Sequence, residues 1–376
     1  MRIEKHIDNI YTCNRTRCGF CIDDCPSYRE VGVDFYTSRG RLMISRGLVE
    51  GVIKPSQQVA KAVYECTLCG YCEYKCALEN VKILEALRGT VKESGFEPEQ
   101  CKYIIASLHS NENPYMKLKR NRGLWIRGLD IKRKGKILYF AGCTISYSNY
   151  LKGNARSIVK ILQKIGLNPA YLASNEFCCG AFLHMLGYEE EFQRRVKRNY
   201  RVIRNSKCDT IVTSCPFCYL TLKKEYGEVI GSKYDFEVLH ITQILKESID
   251  SGRLNLALKV NTTVTYHDPC HLGRFMRVFE EPREVIRAIP DVSLVEMRKN
   301  RFESHCCGGG GVLLAINPDM AFSIASKRLS EAVETGAKAI VSSCPICVEM
   351  FKRKIKYEGI RFKAYDIVEL IAKALK

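Results

Sequence analysis

Ten of the chain's twenty cysteines fall into one pattern that occurs twice. The first copy runs Cys143, then Cys178-Cys179-Gly180, then Cys215-Pro216-Phe217-Cys218. The second runs Cys270, then Cys306-Cys307-Gly308, then Cys344-Pro345-Ile346-Cys347. Corresponding cysteines are 127 to 129 residues apart, and Ile-Val-Thr-Ser before Cys215 returns as Ile-Val-Ser-Ser before Cys344, so the region is an internal duplication. Thiolates are soft metal ligands and redox nucleophiles. Taken alone, the two C-P-x-C turns suit a thioredoxin-type dithiol pair. That reading leaves the adjacent pairs, and the lone Cys143 and Cys270, without a task. Adjacent cysteines cannot easily close on one small ion together with a distant CxxC, but they can grip different irons of an extended cluster.

Eight further cysteines form two groups near the N-terminus: Cys13, Cys18, Cys21 and Cys25, then Cys66, Cys69, Cys72 and Cys76. The second group has the C-x2-C-x2-C-x3-C spacing of a [4Fe–4S] ferredoxin motif, in which three close thiolates wrap one cubane and the fourth turns to the other. Cys66, Cys69 and Cys72 are therefore expected to share a cluster with Cys25. Cys18 and Cys21 are expected to share the other with Cys76, and Cys13 is the remaining ligand. Four residues separate Cys13 from Cys18 where the pattern has two, and Ala77 stands where it has proline. A zinc ribbon would place two CxxC knuckles well apart around one ion, unlike two sets of four cysteines packed within 11–13 residues each. Cys101 and Cys208 are left over as small packing residues.

Other residues beside the cysteines invite a role. Gly180 and Gly308–Gly311 remove side chains where inorganic sulfur or substrate must come close. No Gly-Lys-Ser/Thr follows the glycine run, which speaks against a phosphate loop. His267, His271 and His305 adjoin cysteines and could donate protons, hydrogen-bond cluster sulfur, or serve structure alone. Arg274 is either an attractor for an anionic disulfide or a surface charge.

The elements that must carry these groups follow from periodicity. In residues 1–116, apolar spacing over 38–48, 81–91 and 99–108 predicts helices, with few strand signals. Residues 117–136 hold nine Lys or Arg against one acid, Asp130, and read as a basic linker. Its Trp125, the chain's only tryptophan, also suits docking on an acidic subunit or lipid headgroups. From 137 to 260 short strands (137–140, 170–173, 210–213, 238–239) alternate with helices (149–165, 189–206, 241–249). The pattern repeats over 261–376 with strands at 264–266, 293–296, 339–341 and 362–364, and helices at 282–289, 318–335 and 367–375. Such alternation predicts parallel α/β halves. Each cysteine group follows a strand, where ligands of such sheets bind. The fold class expected is multidomain: an N-terminal all-helical ferredoxin-like domain, then two pseudo-symmetric α/β domains facing each other about a pseudo-twofold.

At 376 residues the chain has room for two or three domains. No stretch approaches the roughly 18 apolar residues of a membrane span. Met1–Lys5 lacks the features of a signal peptide, so a reducing, cytoplasmic setting is expected, where twenty cysteines mean metal or redox chemistry rather than disulfides. The formal charge of +18 overstates the balance, because ligand thiolates and their clusters are anionic. It favours an acidic redox partner, an anionic substrate or a membrane surface. No helix-turn-helix or RNP signature is present, so no nucleic acid is expected.

The pattern C-xn-CCG-xm-C-x-x-C resembles the CCG domain of heterodisulfide reductases. The order ferredoxin–CCG–CCG resembles the catalytic D subunit of those enzymes over essentially the whole chain, and His267-Asp268-Pro269-Cys270-His271 and Cys306-Cys307-Gly308-Gly309-Gly310 strengthen the likeness. Similar fusions occur as iron–sulfur subunits of glycolate, D-lactate and glycerol-3-phosphate dehydrogenases. The resemblance implies a noncubane [4Fe–4S] cluster on Cys143, Cys178, Cys179, Cys215 and Cys218, and another on Cys270, Cys306, Cys307, Cys344 and Cys347. It implies that two N-terminal cubanes feed this pair, which splits a disulfide with His267 and His271 nearby. The partners implied are an anionic small-molecule disulfide or thiol and a redox subunit: a flavoprotein, a hydrogenase or dehydrogenase, or a membrane cytochrome that would hold the chain peripherally at a membrane. The alternative is an electron-transfer subunit of a flavoprotein dehydrogenase, in which the CCG centres only relay.

Overall fold

The structure is a computed structural model describing residues 1–375, which divide into two compact units. One comprises Met1–Ala106 with Phe182–Phe192 and His305–Arg328, and the other comprises Ser107–Ala181, Gln193–Ser304 and the chain from Leu329 onwards.

Residues 1–116 fold without a strand. The helix Ser38–Val49 starts where the Thr37 hydroxyl accepts a hydrogen bond from Gly40 N at 2.9 Å, an N-cap. Its buried Arg41 donates to the carbonyls of Ala62 (2.7 Å) and Tyr36 (2.5 Å). Arg88, on the helix Asn80–Glu93, is fully buried and donates to four carbonyls: Cys66 at 2.7 Å, Tyr64 at 3.0 Å, and Met185 and Gly311 at 3.1 Å. Three separate chain segments thus satisfy their buried acceptors on one guanidinium. That fixes the loop bearing Cys66 against the loop after Cys306-Cys307.

The other unit holds two wholly parallel sheets. Strands β1 (Ile137–Phe140), β2 (Thr210–Thr213) and β3 (Glu237–His240) lie in the order β1-β2-β3. Strands β4 (Thr262–His267), β5 (Val292–Val295), β6 (Ala339–Ser342) and β7 (Lys363–Asp366) lie in the order β5-β4-β6-β7. Ala170 joins β1 by one parallel bridge to Leu138, at the place that β5 takes beside β4. Helices then cross between the halves. Lys152–Lys164 packs on Ile367–Ala374, and Ile241–Asp250 packs on Glu280–Arg287. The first long helix of each half therefore meets the last helix of the other. Ile158, Leu162, Leu245, Ile286, Val368 and Ile371 make one buried apolar core from this exchange.

Two expectations fail here. The strand read at 170–173 is only the single bridge, because Ala173 turns to a φ of +52° and opens a short 3-10 turn. The basic linker is not a solvated connector. Lys119–Ile126 is a 3-10 helix, in which side chains three apart eclipse, and Arg122 and Trp125 both point inward. Trp125 is 5% exposed, with its ring 4.6 Å from Tyr171, so it offers no surface for an acidic subunit or for lipid.

Candidate metal centres

The first five-cysteine set is built at the carboxyl ends of β1 and β2. Gly142, at a φ of +78°, turns the chain out of β1 and delivers Cys143; a Cβ there would lie 3.1 Å from Cys218 Sγ. Cys215 leaves β2 as the N-cap of Pro216–Leu220, with Pro216 in the first turn. Cys178 and Cys179 are held through their carbonyls, which accept from Asn199 Nδ2 (2.9 Å) and the Tyr226 hydroxyl (2.8 Å). All five thiols are buried, and they touch in series: Cys143 to Cys178, Cys178 to Cys179, Cys179 to Cys218, Cys218 to Cys215. Burial pushes Cys143 well above the usual thiol range, while hydrogen bonds from Cys178 and Cys218 pull Cys179 down to about 6. Five desolvated thiols in mutual contact cannot all ionise without cations among them, and such a donor set suits soft metal.

Two residues outside the motifs complete this set. Arg122, 1% exposed, directs Nη1 and Nη2 at Cys143 Sγ, each at 3.5 Å. Glu176, equally buried, accepts from Arg122 Nη2 (2.7 Å) and Nε (3.0 Å), and from the amides of Ala141 (2.8 Å) and Gly142 (2.9 Å). Asn199, Tyr226, Arg122 and Glu176 escaped the sequence reading. Only Glu176, two residues before Cys178, carried any positional signal.

Of the second set, Cys270 follows β4 and its Sγ lies 3.2 Å from His271 Nδ1. Cys344 leaves β6 as the N-cap of Pro345–Glu358, and Cys347 sits in that helix's first turn with a ring nitrogen of His267 within 4.8 Å of its Sγ. Cys306 and Cys307 belong to the helical unit. There Gly308 N donates to Cys306 Sγ at 3.3 Å, and the Cys306 thiol hydrogen-bonds Cys69. Burial, helped by the nearby Arg274, pushes His271 down to about 3. Arg274 is not a surface charge: it is buried and donates to the carbonyls of Phe302 (2.8 Å) and Ser304. His305 lies between Asp24 (3.1 Å) and Arg29 (3.0 Å).

The N-terminal cysteines form two neighbourhoods in the helical unit. Cys21, Cys25, Cys66, Cys69 and Cys72 line one cavity. The Cys66 thiol there accepts from Leu68 N at 3.4 Å. Burial, reinforced by the nearby Cys21, Cys76 and Cys18, raises Cys13 to about 11. Asn80 Nδ2 donates to Cys76 Sγ at 3.0 Å. Among the twenty cysteines Cys18 alone is exposed, so the second neighbourhood opens to the surface, whereas Cys66 and Cys69 of the first are buried. Cys101 and Cys208 are buried and join neither; Cys208 Sγ faces the Ile203 carbonyl at 3.9 Å.

Helical dicluster geometry joined to a twice-used parallel cysteine-rich domain defines an iron–sulfur electron-transfer protein. The "4Fe-4S dicluster domain" family matches residues 10–80, and the "Cysteine-rich domain" (CCG) family matches 137–223 and 264–352. The chain is 33% identical to the D subunit of the dihydromethanophenazine:CoB–CoM heterodisulfide reductase of Methanosarcina barkeri, over 96% of this chain and 93% of that one. It is 31% identical to the probable iron-sulfur-binding oxidoreductase FadF of Bacillus subtilis, over 83% of this chain and 46% of that one. A solved structure of a hypothetical protein from Helicobacter pylori superposes with a TM-score of 0.56 at 12% identity, over 79% of this chain and 58% of that one, a likeness of fold alone. The chain belongs to the family of heterodisulfide reductase D subunits. It is an oxidoreductase subunit with [4Fe–4S] clusters. Among the described residues no helix is long and apolar enough to cross a membrane.

Proposed function

We propose that the chain cleaves a disulfide, RSSR + 2e⁻ + 2H⁺ → 2 RSH, at its two CCG sites with electrons drawn through its N-terminal centres. The observation that carries this reading is the completeness of both five-cysteine sets, since neither half has lost a thiol. A relay centre needs only to hold its cluster, whereas paired chemistry on two substrate sulfurs needs both sites whole. [4Fe–4S] clusters exchange one electron at a time, so two such sites together supply the two electrons of the cleavage. Noncubane clusters on the CCG sets, and cubanes on Cys13/Cys18/Cys21/Cys76 and Cys25/Cys66/Cys69/Cys72, are the assignment proposed. The surface position of Cys18 supports entry of electrons at the first cubane, and the Cys69–Cys306 hydrogen bond supports their exit from the second.

The histidines then divide the work. His271 suits hydrogen bonding at Cys270 rather than proton delivery, and His267 beside Cys347 is the remaining candidate donor. The pseudo-twofold relation of the halves is supported by their shared strand order and by the reciprocal packing of first and last helices. Domains at 1–116, 137–260 and 261–376, with the linker 117–136, are supported by the family matches over 10–80, 137–223 and 264–352. The relatives' name makes a heterodisulfide the substrate class to try, with an anionic disulfide first in view of the charge of +18. The redox partner is a flavoprotein, a hydrogenase or dehydrogenase, or a membrane cytochrome in a complex at the cytoplasmic side.

The test is turnover without flavin. Iron-loaded protein given reduced methyl viologen should cleave at least one of a panel of anionic disulfides, and Cys307→Ser should stop it while the N-terminal centres still reduce. Failure with the whole panel, together with viologen-linked activity only alongside a flavoprotein dehydrogenase and its hydroxy acid or polyol phosphate, would establish the relay reading instead.

A further inference from the structure

We infer that Arg122 is a positioning residue that holds Cys143 and biases the first CCG centre toward its reduced state, with Glu176 as its counterweight. The inference rests on the proposed assignment of Cys143 to a cluster. Every guanidinium nitrogen of Arg122 is directed: Nε and Nη2 to Glu176, Nη1 and Nη2 to Cys143 Sγ. Such a fork is a rigid, permanently charged donor, and burial removes the water that would screen it. An electron added among buried thiolates is an added negative charge, and a cation at 3.5 Å from one ligand sulfur favours it. Glu176 cancels part of that field and is itself held by the amides of Ala141 and Gly142, so its carboxylate cannot turn away.

The duplication supplies an internal control. Ser304 stands two residues before Cys306, where Glu176 stands two residues before Cys178. Its hydroxyl donates to the Asp268 carbonyl at 3.2 Å. Arg283, one of the buried arginines of that half, binds two acids, Asp268 (2.7 and 2.9 Å) and Glu296 (2.7 and 3.0 Å). The cysteines repeat while the acid two residues before the adjacent pair does not.

The experiment is an EPR-monitored redox titration of the iron-loaded full chain and of Arg122→Gln, Arg122→Lys and Glu176→Gln, with the first-centre signal identified by its loss in Cys215→Ser. Arg122→Gln should shift the ratio of reduced to oxidised first centre about tenfold toward oxidised at fixed potential, which is about 59 mV for one electron. Arg122→Lys, keeping the charge without the fork, should shift less in the same direction. Glu176→Gln should shift the opposite way, and the other centres should stay put. A residue that served packing alone would not produce shifts of opposite sign. An unmoved midpoint in Arg122→Gln at full iron overturns the inference, and so does a shift of one sign in both the Arg122 and Glu176 variants. If Arg122→Gln fails to load iron, Arg122→Lys and Glu176→Gln decide by the same sign rule. Cys143→Ser separates the two levels: an intact first-centre signal there overturns the ligand assignment, whereas its loss leaves the Arg122 shifts to judge Arg122 alone.

Discussion

The His271 ring stacks on Phe217 with centroids 3.7 Å apart and planes 29° from parallel. Phe217 lies between Cys215 and Cys218, and His271 follows Cys270 with its Nδ1 on that sulfur. One aromatic contact thus couples the Cys215–Cys218 turn of the first cysteine set to the Cys270 turn of the second.

This contact separates packing from ligand support. Phe217→Ala should cost about 3 kcal/mol, by lost burial and the cavity left against His271. His271→Phe preserves a ring in the stack but loses the nitrogen beside Cys270 Sγ. Its urea midpoint should remain near that of the parent, while the EPR spectrum of the second CCG centre changes. A Phe217→Ala protein with a stability indistinguishable from the parent's would show that the stack holds nothing together.

The cysteine sets were legible because ligand spacing is local, and the parallel halves were legible because their strands sit just before those cysteines. What escaped depends on three-dimensional closure. Arg122 and Trp125 look like two members of a charged run, and only the 3-10 helix that eclipses them turns both inward. Glycines stood out in the sequence, but for a partly different reason. At Gly308 a Cβ would sit 2.2 Å from the Ala321 carbonyl oxygen, and at Gly311 2.2 Å from that of Cys66. Those two positions are reserved for backbone against backbone, whereas Gly142 gives way to a thiol. Sequence spacing cannot tell these cases apart, because the crowding group arrives from elsewhere in the chain.

Acid sensitivity should have a source in a buried histidine. His240, at the end of β3, is fully buried, with Thr242 on its Nδ1 (2.8 Å) and the Tyr219 ring 5.9 Å away. Burial lowers its pKa to about 4 from an ordinary 6.5. Between those values the unfolded chain binds the proton and the folded chain refuses it, so stability rises with pH across this window and is fully present above 6.5. The contribution lost on going down through the whole window is on the order of 3 kcal/mol. His240→Gln should therefore lose less stability than the parent between pH 7 and pH 5, as measured by urea unfolding at both. Equal losses in the two proteins would remove His240 from the account.

The cross-wired assignment of the N-terminal ligands makes the most discriminating case. Cys25 comes from the first cysteine group, yet it lines the cavity of Cys66, Cys69 and Cys72. Cys76 comes from the second group, yet it neighbours Cys13. The parent chain should hold about 16 iron and 16 sulfide, four of each per cluster. Cys76→Ser should damage the centre that includes Cys18 and Cys21 while the other N-terminal cluster survives, and Cys25→Ser should do the reverse. The two variants are told apart by accessibility: the surviving cluster of Cys76→Ser is the interior one and should resist iron chelators longer than the surface cluster left in Cys25→Ser. Cys101→Ser and Cys208→Ser should leave iron content and spectra unchanged, since both thiols lie outside either neighbourhood. If Cys76→Ser instead removes the interior cluster and spares the surface one, each cysteine group serves a single cluster and the exchange of Cys25 and Cys76 is wrong.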